Sequence, residues 1–450
     1  MIGEGRLEKG AELTADHTYG TWRAQREWKK PLSVARAEGV FFFDEEGKSY
    51  LDFSSQLMCS NLGHGNEAII DAICEQAKKL PYVAPGFLCE MKERATRALL
   101  DIVPRGLDTF FFSTSGTEAN EAALKIIRQY MAPKYKIISR YHSYHGSTAG
   151  SMALTGDLRR WFAEPMNVMP GVIFAPDAYC YRCPFSLEYT RCNIQCAEYV
   201  DYMIKEEGNV AAIFIEPVVG TNGIIVPPKE YFPRLREIAD ENGVLLVVDE
   251  VMSGWWRTGK LFAVDHWNVE PDILTTAKGC TGAYVPLGIT LTGSKIKQHF
   301  DERFFSHGHT YAMHPLSLSA LPAAIEEYKK LVASGLMEKV SKHLEKRLCE
   351  LMSSHECVGD VRGIGHFWAV EIVKDRGTKE PFNTKQDKAS LKPLMTGNIS
   401  KEALRRGLHI VSWYNHFIIA PPLIITEEEV DKGMEVFDEV LKIADNEVKK

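Results

Sequence analysis

Between residues 85 and 330, short apolar runs alternate with stretches whose apolar residues recur every three or four positions. The runs are "TFFFS" (109–113), "YKIISRY" (135–141), "VAAIFIEPVV" (210–219), "GVLLVVDEV" (243–251), "DILTTAKG" (272–279) and "LGITLTG" (287–293). Continuous apolar runs of this length, bounded by turn residues, read as strands covered on both faces. "TEANEAALKIIRQYM" and "YFPRLREIADENG" have the spacing of amphipathic helices between them. The alternation predicts an α/β domain with a mostly parallel sheet over residues 85–330. Ahead of it, "FFFDEEGKSYLDF" alternates about a turn at Glu46-Gly47 and predicts a hairpin, followed by a helix in "NEAIIDAICEQAKKL". After it come a long amphipathic helix from "AAIEEYKKLVASG", then "VGDVRGIGHFWAVEIV" and "HFIIAPPLIITEEEVDKGMEVFDEVLKIA". Those predict a small α+β domain over 331–450, to which the segment 1–84 contributes.

Composition adds bounds rather than chemistry. The chain has 450 residues, 45% hydrophobic and 25% charged, with a net charge of −7. That is ordinary globular composition and gives no sign of nucleic acid or a membrane surface as partner. No stretch approaches the roughly 18 apolar residues of a membrane span. The opening "MIGEGRLEKG" lacks an apolar signal core, so the cytoplasm is the expected location. Ten cysteines are too sparse for a disulfide framework. Four of them, Cys180, Cys183, Cys192 and Cys196, form a C-x₂-C-x₈-C-x₃-C run. Its spacing is near, but not on, the common zinc patterns, so packed thiols are the expectation over a metal.

Ligands of open parallel sheets bind at the carboxyl ends of the strands, so the residues there carry the chemistry. After the first strand, Ser115, Gly116 and Thr117 open a helix, a seat for an anion such as a phosphate, or a simple cap. After the second, Tyr144 and His145 precede Gly146, and the aromatic could stack on a flat ring or fill the core. The fourth strand ends in Asp249, a buried acid that needs a cation or several donors. Lys278 follows the fifth, about one strand–helix–strand unit later. Spacing alone allows a direct Asp249–Lys278 ion pair as the explanation of both charges.

Two functional readings compete at "LLVVDEVMSGWWRTGKL". One is nucleotide hydrolysis, since "GWWRTGK" has the glycine and lysine spacing of a phosphate loop. It fails because Leu261 stands where a Mg²⁺-binding Ser or Thr is required, and because the turn follows the acidic strand itself. The other uses every strand end at once. A phosphate seat, a stacking aromatic, an acid for a ring nitrogen and a lysine for an aldehyde together describe pyridoxal 5′-phosphate.

The chain resembles the class III (ω-type) aminotransferases of pyridoxal-phosphate fold type I. The pieces that carry the resemblance include "FFFSTSGTEANEAALK", "RYHSYHGSTAGSMALTG", "FIEPVVGTNGIIVPP", "LLVVDEVMSGWWRTG", "DILTTAKG" and "HGHTYAMHPLSLSAL", in the family's order. The resemblance implies a large domain with a seven-stranded sheet and a homodimer with shared sites, alone or paired into a tetramer. It implies that Lys278 forms the internal aldimine and shuttles a proton. Asp249 would hold the ring nitrogen protonated, Val251 and Tyr144 would flank the ring, and Ser115, Gly116 and Thr117 would bind the phosphate. His145 belongs to the same site, Glu216 lies near the phenolic oxygen, and Thr310 reaches the partner subunit's phosphate. No metal is expected.

Two departures bear on substrate. Trp256 replaces a glycine common in the family and would narrow the entrance. The arginine that many relatives carry before "APPL" is missing; Ser412, Trp413 and Tyr414 occupy that region. With Leu57, Met58, Trp255 and Trp413 expected to form an apolar wall, the donor is read as an ω-amino acid or primary amine. The acceptor is an α-keto acid, with pyruvate preferred, and the exchange is ping-pong through Lys278. An aminomutase or amino acid racemase on the same scaffold is the alternative.

Overall fold

The computed structural model describes residues 13–164 and 169–448; the polar decapeptide at the start of the chain lies outside the described residues. Strands β1 (Val34–Glu38), β2 (Phe41–Asp44) and β3 (Ser49–Asp52) lead into helices α1 (Glu67–Lys79) and α2 (Glu90–Leu100). The predicted hairpin is β2–β3. Gly47 turns it at φ +81°, and the Asp44 carboxylate accepts from Lys48 N–H and Tyr50 O–H.

The central sheet follows: β4 (Thr109–Ser113), α3 (Gly116–Tyr130), β5 (Lys136–Arg140), β6 (Val172–Ala175), α4 (Gln195–Glu207), β7 (Val210–Ile215), α5 (Tyr231–Asn242), β8 (Leu245–Asp249), β9 (Ile273–Thr276) and β10 (Gly288–Thr292). Seven strands lie in the order β4-β10-β9-β8-β7-β5-β6. β5 through β9 run parallel, and β10 is antiparallel to both β4 and β9. Every residue of β7 and β8 is buried, as expected for strands with helices on both faces.

Beyond the sheet the chain forms α6 (Pro315–Ala333), α7 (Leu336–Ser354), β11 (Val358–Ile364), β12 (Phe367–Asp375), β13 (Glu380–Pro381), α8 (Met395–Arg405), β14 (Leu408–His409), β15 (Val411–Ser412), β16 (His416–Ile419) and α9 (Glu427–Asp445). The long helix expected after residue 330 is broken at Gly335, whose φ of +71° separates α6 from α7. β14 pairs in parallel with β3, Leu408 opposite Leu51, so the segment before residue 84 shares a sheet with the C-terminal region.

Arg257 ties these parts together. It is fully buried and donates to Pro421 O, His366 O, Ser55 Oγ and Asn61 Oδ1. Burial pushes its pKa down to about 10, still leaving a cation at neutral pH. An Arg257→Leu substitution would strand four acceptors without a donor, a loss of about 3–5 kcal/mol. The expected result in a thermal melt is a midpoint lower by at least roughly 5 °C; an unchanged midpoint would refute the bracing role.

Candidate active site

Five parallel-strand ends converge on one cavity. Its volume is about 440 Å³, within the range of small-molecule sites. Ser115, Gly116 and Thr117 come from the β4–α3 turn, Tyr144, His145 and Gly146 from the loop after β5, and Glu216 from the end of β7. Asp249 and Val251 come from the tip of β8, and Lys278 from the turn after β9. All nine site residues expected to hold cofactor within one subunit therefore line a single space.

The helix start is built for an anion. Ser115 caps α3 through its Oγ, which accepts from Glu118 N–H. Glu118 in turn accepts from Thr114 N–H. The turn is tight because Gly116 has no side chain: a Cβ there would meet Val251 Cγ1 at 2.7 Å. Gly146, at φ +139°, is equally confined, with Ser151 Oγ and Thr117 Oγ1 at 2.5 and 2.7 Å from where a Cβ would stand. A helix N-terminus with close backbone approach is the geometry of a phosphate cradle.

At the other end, Asp249 is 3% exposed and does not pair with Lys278. Its Oδ2 accepts from Asn120 Nδ2 at 2.8 Å and faces His145 Nδ1 at 2.8 Å, while Oδ1 accepts from Val251 N–H at 2.9 Å. Asn120 is itself fixed by Thr275 Oγ1, the residue opposite Asp249 in the β8–β9 register. Lys278 sits at φ +42°, a left-handed conformation that a non-glycine residue adopts at a cost of order 1–3 kcal/mol. Burial lowers its pKa, and the charge of Arg159 acts the same way, against Cys59, Asp249 and Glu216. Burial thus shifts the balance towards the neutral amine, the nucleophilic form.

Glu216 accepts from Tyr144 N–H and Gly220 N–H, and burial pushes its pKa up to about 7. Glu250, next to Asp249 but turned the other way, accepts from Ser253 O–H and Val264 N–H and is likewise raised to about 7 by burial. A carboxyl raised above its unfolded value stabilises the fold fully below about pH 4.5 and loses that contribution as pH rises through about 7. Glu250→Gln should therefore come closest to the parent protein at about pH 4 and gain on it by pH 8, by about 3 kcal/mol. Denaturant unfolding at the two pH values checks this; a difference independent of pH would contradict it.

The expected substrate wall is not what the structure builds. Trp255 is turned into the core, 1% exposed, its Nε1–H donating to Thr276 Oγ1. Trp256 stacks on Tyr328 at 5.0 Å between ring centroids. Both tryptophans take left-handed backbone conformations, and Trp255 N–H closes the turn on Leu261 O at 2.7 Å. That turn swings the indoles away from the cavity. Met58 packs in the main core and Leu57 points outward, because Ser55, Gln56 and Met58 also sit at positive φ. Trp413 is 8% exposed beside Leu158 and Tyr414, outside the cavity lining. Thr310 is exposed and also lies outside it. The cavity instead draws on Trp22 and Cys59, which the sequence reading did not single out.

Cys180, Cys183, Cys192 and Cys196 gather around a separate cavity of only about 20 Å³. All ten cysteines are free. Among the described residues no group of three or more His, Cys, Asp or Glu side chains is placed to hold a metal ion, and no helix is long and apolar enough to cross a membrane.

Residues 23–441 match the family described as aminotransferase class-III, and the chain belongs to that family. Among its relatives, the leucine/methionine racemase of Thermococcus litoralis is 35% identical over 93% of this chain and 92% of that protein. The putrescine–pyruvate aminotransferase of Pseudomonas aeruginosa is 33% identical over 96% and 95%. Among solved structures, the taurine:2-oxoglutarate aminotransferase of Bifidobacterium kashiwanohense, in complex with PLP and glutamate, superposes with a TM-score of 0.93 at 33% identity, covering 98% of this chain and 99% of that one. The fold is that of pyridoxal-phosphate fold type I, and the family's enzymes depend on pyridoxal 5′-phosphate.

Proposed function

We infer that the protein is an aminotransferase that moves an amino group from an ω-amino acid or primary amine to an α-keto acid, pyruvate in preference, in a ping-pong exchange. The observation that carries this reading is the separation of Asp249 from Lys278: both face one cavity, and the acid is held by Asn120, His145 and Val251 instead of by the lysine.

When bound, pyridoxal 5′-phosphate supplies an aldehyde for the amine and a cationic ring that accepts electrons from the substrate carbon. Ser115, Gly116 and Thr117 would hold its phosphate at the start of α3. Asp249 would accept from the ring N–H, and Asn120 and His145 keep its carboxylate aimed. Val251 and Tyr144 would flank the ring, and Glu216 would serve its phenolic oxygen; all three line the cavity. Lys278 Nζ is the amine that would hold the cofactor's aldehyde and, when free, would be placed to move a proton within the site.

Thr310 is assigned to the phosphate of a partner subunit, which makes the homodimer part of the site. Its exposure, with Phe304 and Tyr311 exposed beside it, supports that assignment. The free thiols fit the expected cytoplasmic location.

An isomerase is the second reading, favoured by the similarity to the leucine/methionine racemase. The experiment that separates the two assays the purified holoenzyme with β-alanine, taurine, 4-aminobutyrate and an aryl-ethylamine, each against pyruvate and 2-oxoglutarate. Formation of alanine with at least one of these amines is the expected result. No amino transfer with any pair, together with inversion of a chiral amino acid supplied alone, would replace the reading with the isomerase.

A further inference from the structure

The turn after β7 is held from two sides. On the cavity side, Gly220 N–H donates to Glu216 Oε2 at 2.7 Å, and Tyr144 N–H to Oε1 at 3.0 Å. The turn closes where Gly223 N–H and Ile224 N–H both donate to Gly220 O. On the other side, two of its carbonyls accept from the C-terminal sheet. His416, the first residue of β16, is 1% exposed, with Nε2 3.0 Å from Thr221 O. Arg362, in β11, donates from Nε to Gly223 O at 2.6 Å. A carbonyl oxygen can only accept, so the imidazole proton in the Thr221 contact sits on Nε2.

Gly220 leaves no slack between these holds. A Cβ there would meet Met252 Sδ at 2.3 Å and Glu216 Oε2 at 3.1 Å, and Met252 lines the cavity with Glu216. Thr221, which His416 grips, follows Gly220 directly. The other groups around the acid are His145 and Asp249, which act on it by charge, Lys278, which shares the cavity, and Arg140, which donates to the Glu216 main-chain oxygen. Burial raises the pKa of Glu216, while His145, the Gly220 N–H and the Tyr144 N–H lower it. Losing the Gly220 bond removes a donor that favours the anion, which moves the titration upward.

We propose that His416 is a positioning residue for Glu216: by holding Thr221 O from the C-terminal sheet, it keeps the Gly220 N–H on the acid. His416 itself is absent from the cavity lining, so it acts only through the turn. The inference rests on the reading that Glu216 serves the cofactor's phenolic oxygen. A neutral carboxyl can donate to such an oxygen and an anion cannot. The seating of the turn on β16 then sets the pH range in which Glu216 donates.

The test uses two near-isosteric variants: His416→Gln, whose amide nitrogen can replace Nε2, and His416→Asn, whose amide stops at the level of Nδ1. Parent protein and variants, as holoenzymes, are each compared with the same protein carrying Glu216→Gln. Infrared difference spectra over a pH series then read the Glu216 midpoint without turnover. His416→Asn is expected to raise that midpoint by about one pH unit, tenfold in proton affinity. His416→Gln should stay within about twofold of the parent protein. The limb of the amino-transfer pH profile that Glu216→Gln removes should move by the same amounts. Gly220→Ala breaks the next link and should shift as His416→Asn does. An unmoved midpoint in His416→Asn or in Gly220→Ala, or equal shifts in His416→Asn and His416→Gln, would overturn the positioning role. A parent protein that carries the cofactor but transfers no amino group would instead overturn the aminotransferase reading, with the infrared midpoints still deciding for or against His416.

Discussion

Lys278→Ala protein is expected to lack the yellow absorbance of lysine-bound cofactor and to lose amino transfer by roughly 10⁴-fold or more. The argument is structural before it is chemical. Lys278 is the amine placed by the turn after β9, in a left-handed backbone conformation and with no ion-pair partner among the described residues. Its pKa is lowered first by burial, so the side chain is prepared as a nucleophile. An alanine leaves the phosphate seat and Asp249 untouched, so the cofactor should still bind, but as a free aldehyde displaced by gel filtration. Retention of the lysine-bound spectrum, or of full activity, would remove Lys278 from its assigned role.

Asp249→Asn is the second large effect. Both carboxylate oxygens already accept hydrogen bonds, Oδ2 from Asn120 and Oδ1 from Val251 N–H, and His145 Nδ1 closes on Oδ2. An amide cannot accept at both ends, so one of these contacts turns repulsive, and the charge that complements a cationic ring is gone. We expect kcat to fall by on the order of 10³-fold while KM for the donor changes little, because Asp249 acts on the cofactor and not on the distal end of the substrate. Circular dichroism should stay unchanged. A KM effect with kcat preserved would place Asp249 in substrate binding instead.

Much of the site was legible because strand ends concentrate chemistry. A run such as "LLVVDE" announces both a buried strand and the acid at its tip, and "STSGT" announces a helix start. Lys278 could be paired with Asp249 in space because one strand–helix–strand unit returns the chain to the same sheet edge. What could not be read was the direction of side chains in irregular segments. Trp255 and Trp256 look like pocket residues by position, yet their left-handed backbone turns them inward. β6 escapes a periodicity reading because its residues, Val172–Ala175, are all apolar and too few to show a period. Asn120 carried a usable signal: one turn after Thr117 on an amphipathic helix, a buried amide facing the sheet needs a partner there.

If this cavity holds pyridoxal 5′-phosphate and exchanges amino groups on it, the product formed without a keto acid is limited by the number of cofactor sites. The most direct measurement mixes holoenzyme with β-alanine and no keto acid, then counts product against cofactor sites. Our account predicts a single burst of about one carbonyl product per site, loss of the yellow absorbance, and its return when pyruvate is added. Absorbance that stays unchanged, or product that accumulates beyond the sites with no acceptor present, would contradict it.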